Sequence, residues 1–289
     1  MTKPHCLRLQ GVFAALAFAW AMSVPLVAIG TMSGTLTVND VLTLPHQTAR
    51  IEARLSGSKP AGGPGWGGVL LQLAIDGKPV ATTKTNGNGE AMFDYRPSMR
   101  GINVMTVTAL ETESLEVEKV EATLCVWERR RPILLIELEA IMRPDSLSPT
   151  APPAADETAA IFAMQPVAEA AEELSLLTQY YYNVVYVPTG VRELASAASA
   201  TAMRRWLNLH KFPPGYVVTQ PSGDLNDAIE NFKRDGWTTM KSGVGRTRSF
   251  ADTLLHHRME VVVVPEPPKG ELPRKAKVAK DWKEVRKKL

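Results

Sequence analysis

The pattern of apolar and polar positions divides the chain into two differently organised parts. Between about residue 35 and residue 128, short runs alternate apolar and polar residues, which predicts β-strands with one buried face. After residue 129, continuously apolar runs alternate with helix-like stretches, which predicts parallel strands covered by helices on both faces. We therefore expect a multidomain protein, with an all-β sandwich followed by an α/β domain that has a parallel sheet.

Glycine-containing turn signals separate the runs of the β part. Asp76-Gly77, Asn86-Gly87 and Asn88-Gly89 favour the positive φ angles that tight turns require. We expect a hairpin at the two Asn-Gly pairs, between the runs KPVATTKT and EAMFDY. Asp40, Asp76 and Asp94 fall at turns or strand ends of this pattern, so no catalytic cluster is expected here.

The segment DGKPVATTKTNGNGEAMFDY resembles the Ig-like modules of bacterial surface proteins, in which a "k-T-d-x-x-G-x-a" hairpin recurs. This resemblance implies an Ig-like β-sandwich that serves as a spacer or interaction module. Cys125 lies among alternating apolar residues and is expected to be a buried core thiol. The one other cysteine of the chain, Cys6, lies close to the N-terminus, ahead of the body of the protein. No disulfide is therefore expected within that body.

The α/β part places polar residues after its apolar runs. Ile133–Ile136 is followed by Glu137 and Glu139, and the run NVVYVP is followed by Thr189 and Gly190. Since ligands bind at the carboxyl ends of parallel strands, these residues could form one site. A solvated strand end with both glutamates on one face explains Glu137 and Glu139 equally well. We read SGVGRTRS as a loop that could cradle an anion, and it leads into a helix.

The order of elements in residues 129–266 resembles the haloacid dehalogenase (HAD) superfamily, and most closely its phosphatidate-phosphatase branch of the lipin and actin-patch type. The family's Asp-x-Asp-x-Thr motif corresponds to Glu137-Leu138-Glu139-Ala140-Ile141. Its second motif corresponds to Thr189-Gly190, expected to bind phosphate. The segment TAMRRWLNLHKFPPG resembles the family's "t-r-x-W-L-x-x-x-x-f-P-x-G" helix and loop. The motif lysine corresponds to Lys233, with Lys241 as the second choice.

The resemblance implies a phosphate site whose key positions have changed. In the family the first aspartate attacks phosphorus and helps to hold Mg²⁺, whereas the second is the general acid and base. Here both are glutamates, whose extra methylene moves the carboxylate by about 1 Å, a shift that can cost roughly 100-fold in rate. Arg246 stands where the family has a metal-binding acid, and Asp252 is the nearest acid remaining. A working enzyme would use Glu137, Glu139 and Lys233 for catalysis, with Glu137 and Asp252 on Mg²⁺.

The two ends of the chain have distinct compositions. Lys3, His5 and Arg8 precede residues 11–30, which are without charge, so 1–31 is predicted to be a signal peptide or a membrane anchor. Positive charge before this segment places the rest outside the cytoplasm, either anchored or secreted. Residues 269–289 contain nine Lys/Arg and three acids, a net charge of +6 in a chain of +3. These residues could form a solvated helix or a tail that binds anionic lipid, and the sequence leaves both interpretations open.

Together these patterns give four segments: 1–31 as leader or anchor, 32–128 as Ig-like sandwich, 129–268 as HAD-like domain and 269–289 as basic tail. The predicted function is a non-catalytic pseudophosphatase that acts as a binding module for an anionic lipid or a phosphorylated ligand. The alternative is an active Mg²⁺-dependent phosphatase of the phosphatidate type, a phosphoric monoester hydrolase. Export argues against nucleic acid as a partner, and no cofactor is expected unless the enzyme is active.

Overall fold

The computed structural model describes seven stretches of the chain: residues 32–57, 66–110, 115–143, 157–188, 197–219, 224–268 and 272–289. The predicted leader or anchor, residues 1–31, lies outside these stretches, as do Thr189 and Gly190. No helix among the described residues is both long and apolar enough to span a membrane.

Within the described residues, nine strands form the first part of the fold. Their bounds are β1 Met32–Val38, β2 Val41–Thr43, β3 Ala49–Ser56, β4 Leu70–Ile75, β5 Lys78–Lys84, β6 Glu90–Tyr95, β7 Gly101–Ala109, β8 Leu115–Val117 and β9 Val120–Val126. They build a four-stranded sheet of order β6-β3-β1-β8 and a five-stranded sheet of order β2-β9-β7-β4-β5. Side chains from both sheets share one hydrophobic core. The predicted Ig-like β-sandwich is therefore confirmed as a sandwich of two mainly antiparallel sheets.

Strand β3 illustrates why the periodicity could be read from sequence. Ala49, Ile51, Ala53 and Leu55 are buried, while the residues between them are exposed. Successive side chains of a strand point to opposite faces, so this alternation matches one face in the core and one in solvent.

The expected hairpin at the Asn-Gly pairs is wrong. Strand β5 pairs with β4 and strand β6 pairs with β3, so the segment between them crosses from one sheet to the other. Asn86 makes this corner locally stable, because its side-chain oxygen accepts hydrogen bonds from the N–H groups of Asn88 and Glu90. The tight hairpin is instead β4–β5, where Asp76 and Gly77 both have positive φ, as a two-residue type I′ turn requires.

The second part is built on a six-stranded parallel sheet. Its elements are β10 Ile133–Glu137, α1 Leu138–Ile141, β11 Met142–Arg143, α2 Glu157–Ala163, β12 Gln165–Pro166, α3 Ala170–Tyr180, β13 Asn183–Val187, α4 Ala197–Leu209, β14 Tyr216–Val217, α5 Leu225–Arg234, β15 Met240–Gly245, α6 Arg248–His256, β16 Glu260–Val263, β17 Lys277–Val278 and α7 Trp282–Lys288. The strand order is β14-β13-β10-β15-β16-β17. Strands β11 and β12 form a separate antiparallel pair.

Both faces of the parallel sheet are covered, which explains the continuously apolar strands. Leu134 and Ile136 of β10 pack in a core with α2, α3, α4 and α7. Ile133 and Leu135 pack in a second core with α5 and α6. That second core also contains Trp127, which follows β9, so the sandwich contributes to the cover of the α/β sheet.

Strand β15, the neighbour of β10, was missed in the sequence because two of its six residues are glycines. The glycines allow α6 to approach closely: a Cβ on Gly243 would lie 2.4 Å from Leu254 and one on Gly245 would lie 2.2 Å from Phe250. Close helix packing therefore replaces the apolar run that identifies a buried strand.

The C-terminal segment is part of the α/β fold, which differs from the predicted basic tail. Strand β17 pairs in parallel with β16, extending the sheet by one strand. Trp282 of α7 is 1% exposed and its indole N–H donates to the carbonyl oxygen of Ala140 at 3.2 Å. The packing of α7 could not be recognised from the sequence, because its buried residues, Trp282 and Val285, stand among many lysines.

Candidate functional site

Glu137 ends β10 at the point where the strand order of the parallel sheet reverses. Strands β13 and β15 lie on either side of β10. The strands that follow β13 in the chain are added on its side of the sheet as far as β14, and those that follow β15 are added on the other side. In sheets of this kind, ligands bind outside the carboxyl ends of the strands at this reversal. The side chain that the sequence singled out therefore lies at the position where a ligand site is expected.

The Glu137 carboxylate is fully buried and is bound by the segment that begins α6. One oxygen accepts hydrogen bonds from the backbone N–H groups of Arg246 and Thr247, the latter at 2.8 Å. The other oxygen accepts from the hydroxyl of Thr247. Unpaired N–H groups and the dipole of a helix N-terminus favour an anion at this position. The loop read from sequence as a possible anion cradle binds a carboxylate of the same protein, through the N–H groups of Arg246 and Thr247 and the Thr247 hydroxyl. The expected donors, glycine amides and arginine side chains, are not the ones in these contacts.

Local sequence explains why the cradle fits Glu137. Thr247 is the N-cap of α6, and its hydroxyl oxygen accepts from the N–H of Phe250 at 3.2 Å while its proton goes to Glu137. Gly245 allows the carboxylate to approach, because a Cβ there would lie 2.8 Å from Glu137 Oε2. The sequence marked SGVGRTRS as a possible anion-binding loop, but it gave no indication that Thr247 would be the binding hydroxyl.

Glu139 is not on a strand face. The chain turns into the short helix α1 at Leu138, so Glu139 lies in the first turn of that helix and is half-buried. The hypothesis that Glu137 and Glu139 share one face of a strand is therefore wrong. The two residues belong to different elements, with Glu137 as the last strand residue and N-cap of α1.

Lys233 belongs to a separate polar cluster between α5 and α6. Its ammonium lies 2.7 Å from Nδ1 of His257 and 3.5 Å from Glu230. The other ring nitrogen of His257 lies 2.8 Å from the side-chain oxygen of Asn226, so these partners favour a neutral ring with its proton on Nε2. Burial, assisted by the nearby Lys233 charge, lowers the pKa of His257. The structure gives Lys233 a partner here and records no contact with Glu137.

Asp252 is also engaged elsewhere. Its side chain is 54% exposed on α6 and pairs with Arg248 one turn earlier, at 3.4 Å. Within the seven described stretches, no group of three or more His, Cys, Asp and Glu side chains could hold a metal ion. The second-choice lysine, Lys241, is exposed on β15. Among the described residues the implied donors do not fit Mg²⁺, because Glu137 is buried against the start of α6 and Asp252 is exposed and paired with Arg248, so the two do not offer a shared ligand sphere.

Another buried carboxylate, Asp40, was expected from sequence at a turn or strand end, outside any catalytic cluster. It lies between β1 and β2, where it joins the sandwich to the α/β part. Arg204 of α4 donates to Oδ1 at 2.6 Å, and Val217 of β14 donates its N–H to Oδ2 at 2.8 Å. Thr123 of β9 donates its N–H at 2.6 Å. Residues Thr31–Leu289 accordingly form one compact unit.

The electrostatics of this pair are governed by burial. Loss of solvent raises the pKa of Asp40, and the opposing charge of Arg204 with the two backbone N–H groups offsets only part of this effect. Loss of solvent likewise lowers the pKa of Arg204, against the attraction of Asp40. The resemblance had marked Arg204 as part of a helix motif, but its partner 164 residues away could not be read from the sequence.

Much of the basic charge of the C-terminal segment is paired within the fold. Arg286 binds Glu173 of α3 at 2.7 Å, and Lys283 pairs with Glu169. Lys277 pairs with Glu260 at 2.7 Å. These contacts give part of the clustered charge partners within the fold.

Comparison with known proteins finds similar solved structures and no family. No protein-family model matches the chain, and no curated protein matches it. Similar solved structures include fibronectin(III)-like modules of CbhA from Clostridium thermocellum, which are 14% identical. The match covers 32% of this chain and 94% of that chain, with a TM-score of 0.25. A CARDB domain from Pyrococcus furiosus shares 12% identity over 33% of this chain and 93% of that chain, with a TM-score of 0.21.

The chitinase ChiW from Paenibacillus, a cell-surface multi-modular enzyme, shares 9% identity, with 81% of this chain and 27% of that chain covered and a TM-score of 0.27. All three TM-scores are below 0.5, so the description of the fold depends on the strand pairing. That pairing defines an Ig-like β-sandwich joined to a parallel α/β sheet.

Proposed function

We propose that this protein is an exported or membrane-anchored, HAD-like pseudophosphatase that acts as a non-catalytic binding module. One observation carries the proposal: the carboxylate in the position of the family's nucleophile is bound in the anion cradle of α6. The cradle lies at the reversal of strand order, where a substrate phosphate would need donors of this kind.

The bound carboxylate opposes phosphoryl transfer in two ways. The hydrogen bonds that Arg246 and Thr247 donate to both oxygens of Glu137 hold the carboxylate in place and make its oxygens less nucleophilic. The N–H groups that could stabilise a phosphate are the same ones that hold Glu137. A substrate would therefore have to displace a buried charge from its partners before any chemistry, which is a large cost.

The other implied roles also lack support in the contacts. Lys233 is bonded to His257, and Asp252 to Arg248, in places where neither contacts Glu137. We derive no step through Mg²⁺, because these donors do not fit it. Export and attachment through residues 1–31 remain predictions of the charge pattern, with an extracytoplasmic or secreted location as the proposed setting.

Phosphatase assays test the proposal directly. Purified full chain is incubated with phosphatidate in mixed micelles and with 4-nitrophenyl phosphate, each with Mg²⁺, and released phosphate or nitrophenol is measured. We expect no release above the buffer rate from the wild type or from Glu137→Gln. Hydrolysis that Glu137→Gln abolishes, and that the control Glu52→Gln on the exposed face of β3 retains, would show an active phosphatase and overturn the proposal.

A further inference from the structure

A cavity of about 400 Å³ lies where the sandwich meets the α/β part. The sandwich forms one wall with the start of β7 and the end of β9, and the α/β part forms the other with the end of α3 and the start of β13. Ligand pockets of a few hundred Å³ are common at such junctions. This cavity is at the amino end of the parallel sheet, opposite the end that Glu137 occupies.

The charges that line the cavity leave one positive charge in excess. Arg100 is paired with Glu128 at 2.8 Å, so those two charges compensate. Arg131 donates to the backbone carbonyl oxygen of Thr178, which carries no formal charge. Among the ion pairs found in the described parts of the chain, none includes Arg131. An anionic group is the complement of this lining.

The rest of the lining suits a flat or apolar body. Ile102 is 36% exposed at the mouth, and Val126 and Trp127 line the sandwich side. Tyr182 and Asn183 line the opposite side, offering an aromatic ring and an amide. A ring packed between Ile102 and Tyr182 would bury apolar surface while its polar group remained near the guanidinium.

We propose that this cavity binds a small organic anion, with a carboxylate or phosphate head at Arg131 and Asn183 and a ring between Ile102 and Tyr182. The site is independent of the proposed function, because it does not involve Glu137 and stands whether or not that residue is catalytic. The Asp40–Arg204 contact joins the two parts that supply the walls.

Titration of the full chain with ring-bearing anions tests the site. Benzoate and phenylphosphonate serve as probes, with phenol as the neutral control, and isothermal titration calorimetry measures the dissociation constants. Phenylphosphonate resists hydrolysis, so binding is separated from any phosphatase activity. We expect at least one anion to bind at millimolar concentration or below, and phenol at least about tenfold more weakly. The tighter of the two anions identifies the preferred head group.

Two variants from opposite walls locate the binding. Arg131→Ala is expected to weaken anion binding about tenfold or more, because it removes the uncompensated charge. Ile102→Trp, at an exposed position, is expected to fill the cavity and weaken binding without altering its charge. Arg234→Ala removes an arginine that does not line the cavity and should bind as the wild type does.

Binding that Ile102→Trp leaves unchanged would overturn the proposal, even if Arg131→Ala failed to fold. The same conclusion follows if neither anion binds at millimolar concentration, or if phenol binds as tightly as the anions. Circular dichroism of each variant confirms that the compared proteins are folded.

Discussion

Glu137 and Asp40 are both buried carboxylates: Glu137 is 0% exposed as a residue, and the side chain of Asp40 is 0% exposed. The protein compensates their negative charges in different ways. Among the contacts within the described stretches, Glu137 is held by dipoles, namely two backbone N–H groups and one hydroxyl from the loop that begins α6. Asp40 is held by the full charge of Arg204 together with two backbone N–H groups. A buried charge needs compensation of one kind or the other.

The difference teaches what each contact does for the fold. The partners of Glu137 belong to its own sheet and the next helix, so this contact closes a site within the α/β part. The partners of Asp40 come from α4, β14 and β9, so this contact joins the two parts of the protein. Removing Glu137 would leave neutral donors unsatisfied, whereas removing Asp40 would leave a charged guanidinium buried.

The largest expected effect is the loss of Asp40. Asp40→Ala should lower the free energy of unfolding by about 3–5 kcal/mol, because it strands the Arg204 charge. Urea denaturation followed by circular dichroism measures this. The control Asp94→Ala removes an exposed pair with Arg50 and should cost about 1 kcal/mol or less.

A double variant separates charge from packing at the same contact. Asp40→Leu with Arg204→Met removes both charges and should cost less than Asp40→Ala alone. A double variant less stable than the single one would indicate that specific hydrogen bonds, rather than the stranded charge, dominate the contact.

A smaller loss is expected at the other carboxylate. Glu137→Gln should lower the free energy of unfolding by about 1.5–3 kcal/mol, since hydrogen bonds to a charged acceptor are replaced by weaker ones. Urea denaturation is again the measurement. A cost as large as that of Asp40→Ala would erase the distinction between compensation by dipoles and compensation by a full charge.

Packing at the cradle can be tested without touching a charge. Gly245→Ala should cost about 1–3 kcal/mol, because its Cβ would meet Phe250 at 2.2 Å and crowd the Glu137 carboxylate. The control is Gly87→Ala, whose Cβ would meet open space, so its cost in stability is expected to be smaller. Gly68 is unsuitable as a control because its φ is positive. Equal stability of Gly245→Ala and wild type in thermal unfolding would contradict the close approach of α6.

The smallest effect is a pH dependence at Asp40. Burial raises the pKa of its carboxyl above the ordinary 3.8, so the folded state binds the proton more tightly than the unfolded state. The stability of wild type relative to Asp40→Asn should therefore fall as pH rises from about 3.8 through the raised pKa. Urea titrations at several pH values measure it. A relative stability that grows with pH would mean that Arg204 outweighs the loss of solvent.

The sequence predicted elements whose side chains follow a regular period. Strand β3 and strand β10 were readable because alternation and continuous burial are local properties. Strand β15 was not, because its glycines serve contact with α6 rather than burial of a side chain. The order of elements also placed Glu137 at the carboxyl end of a strand in the parallel sheet, where a ligand site could form.

The contacts of the site required the structure. The sequence showed Glu137 as an acid at a strand end, but its partner Thr247 is 110 residues away and reaches it through strand pairing. Asp40 was read as a turn residue for the same reason, since Arg204 and Val217 come from the other part of the chain. Local patterns do not record such pairings.

The Asp40 contact forms late if the chain folds during synthesis. Its partners lie 164 and 177 residues further along the chain, so a chain synthesised from its N-terminus completes the sandwich strands long before Arg204 and Val217 exist. Until then Asp40 must remain hydrated at an unfinished surface. The sandwich cut out alone would keep that surface exposed, so it cannot be treated as an interchangeable module of this protein.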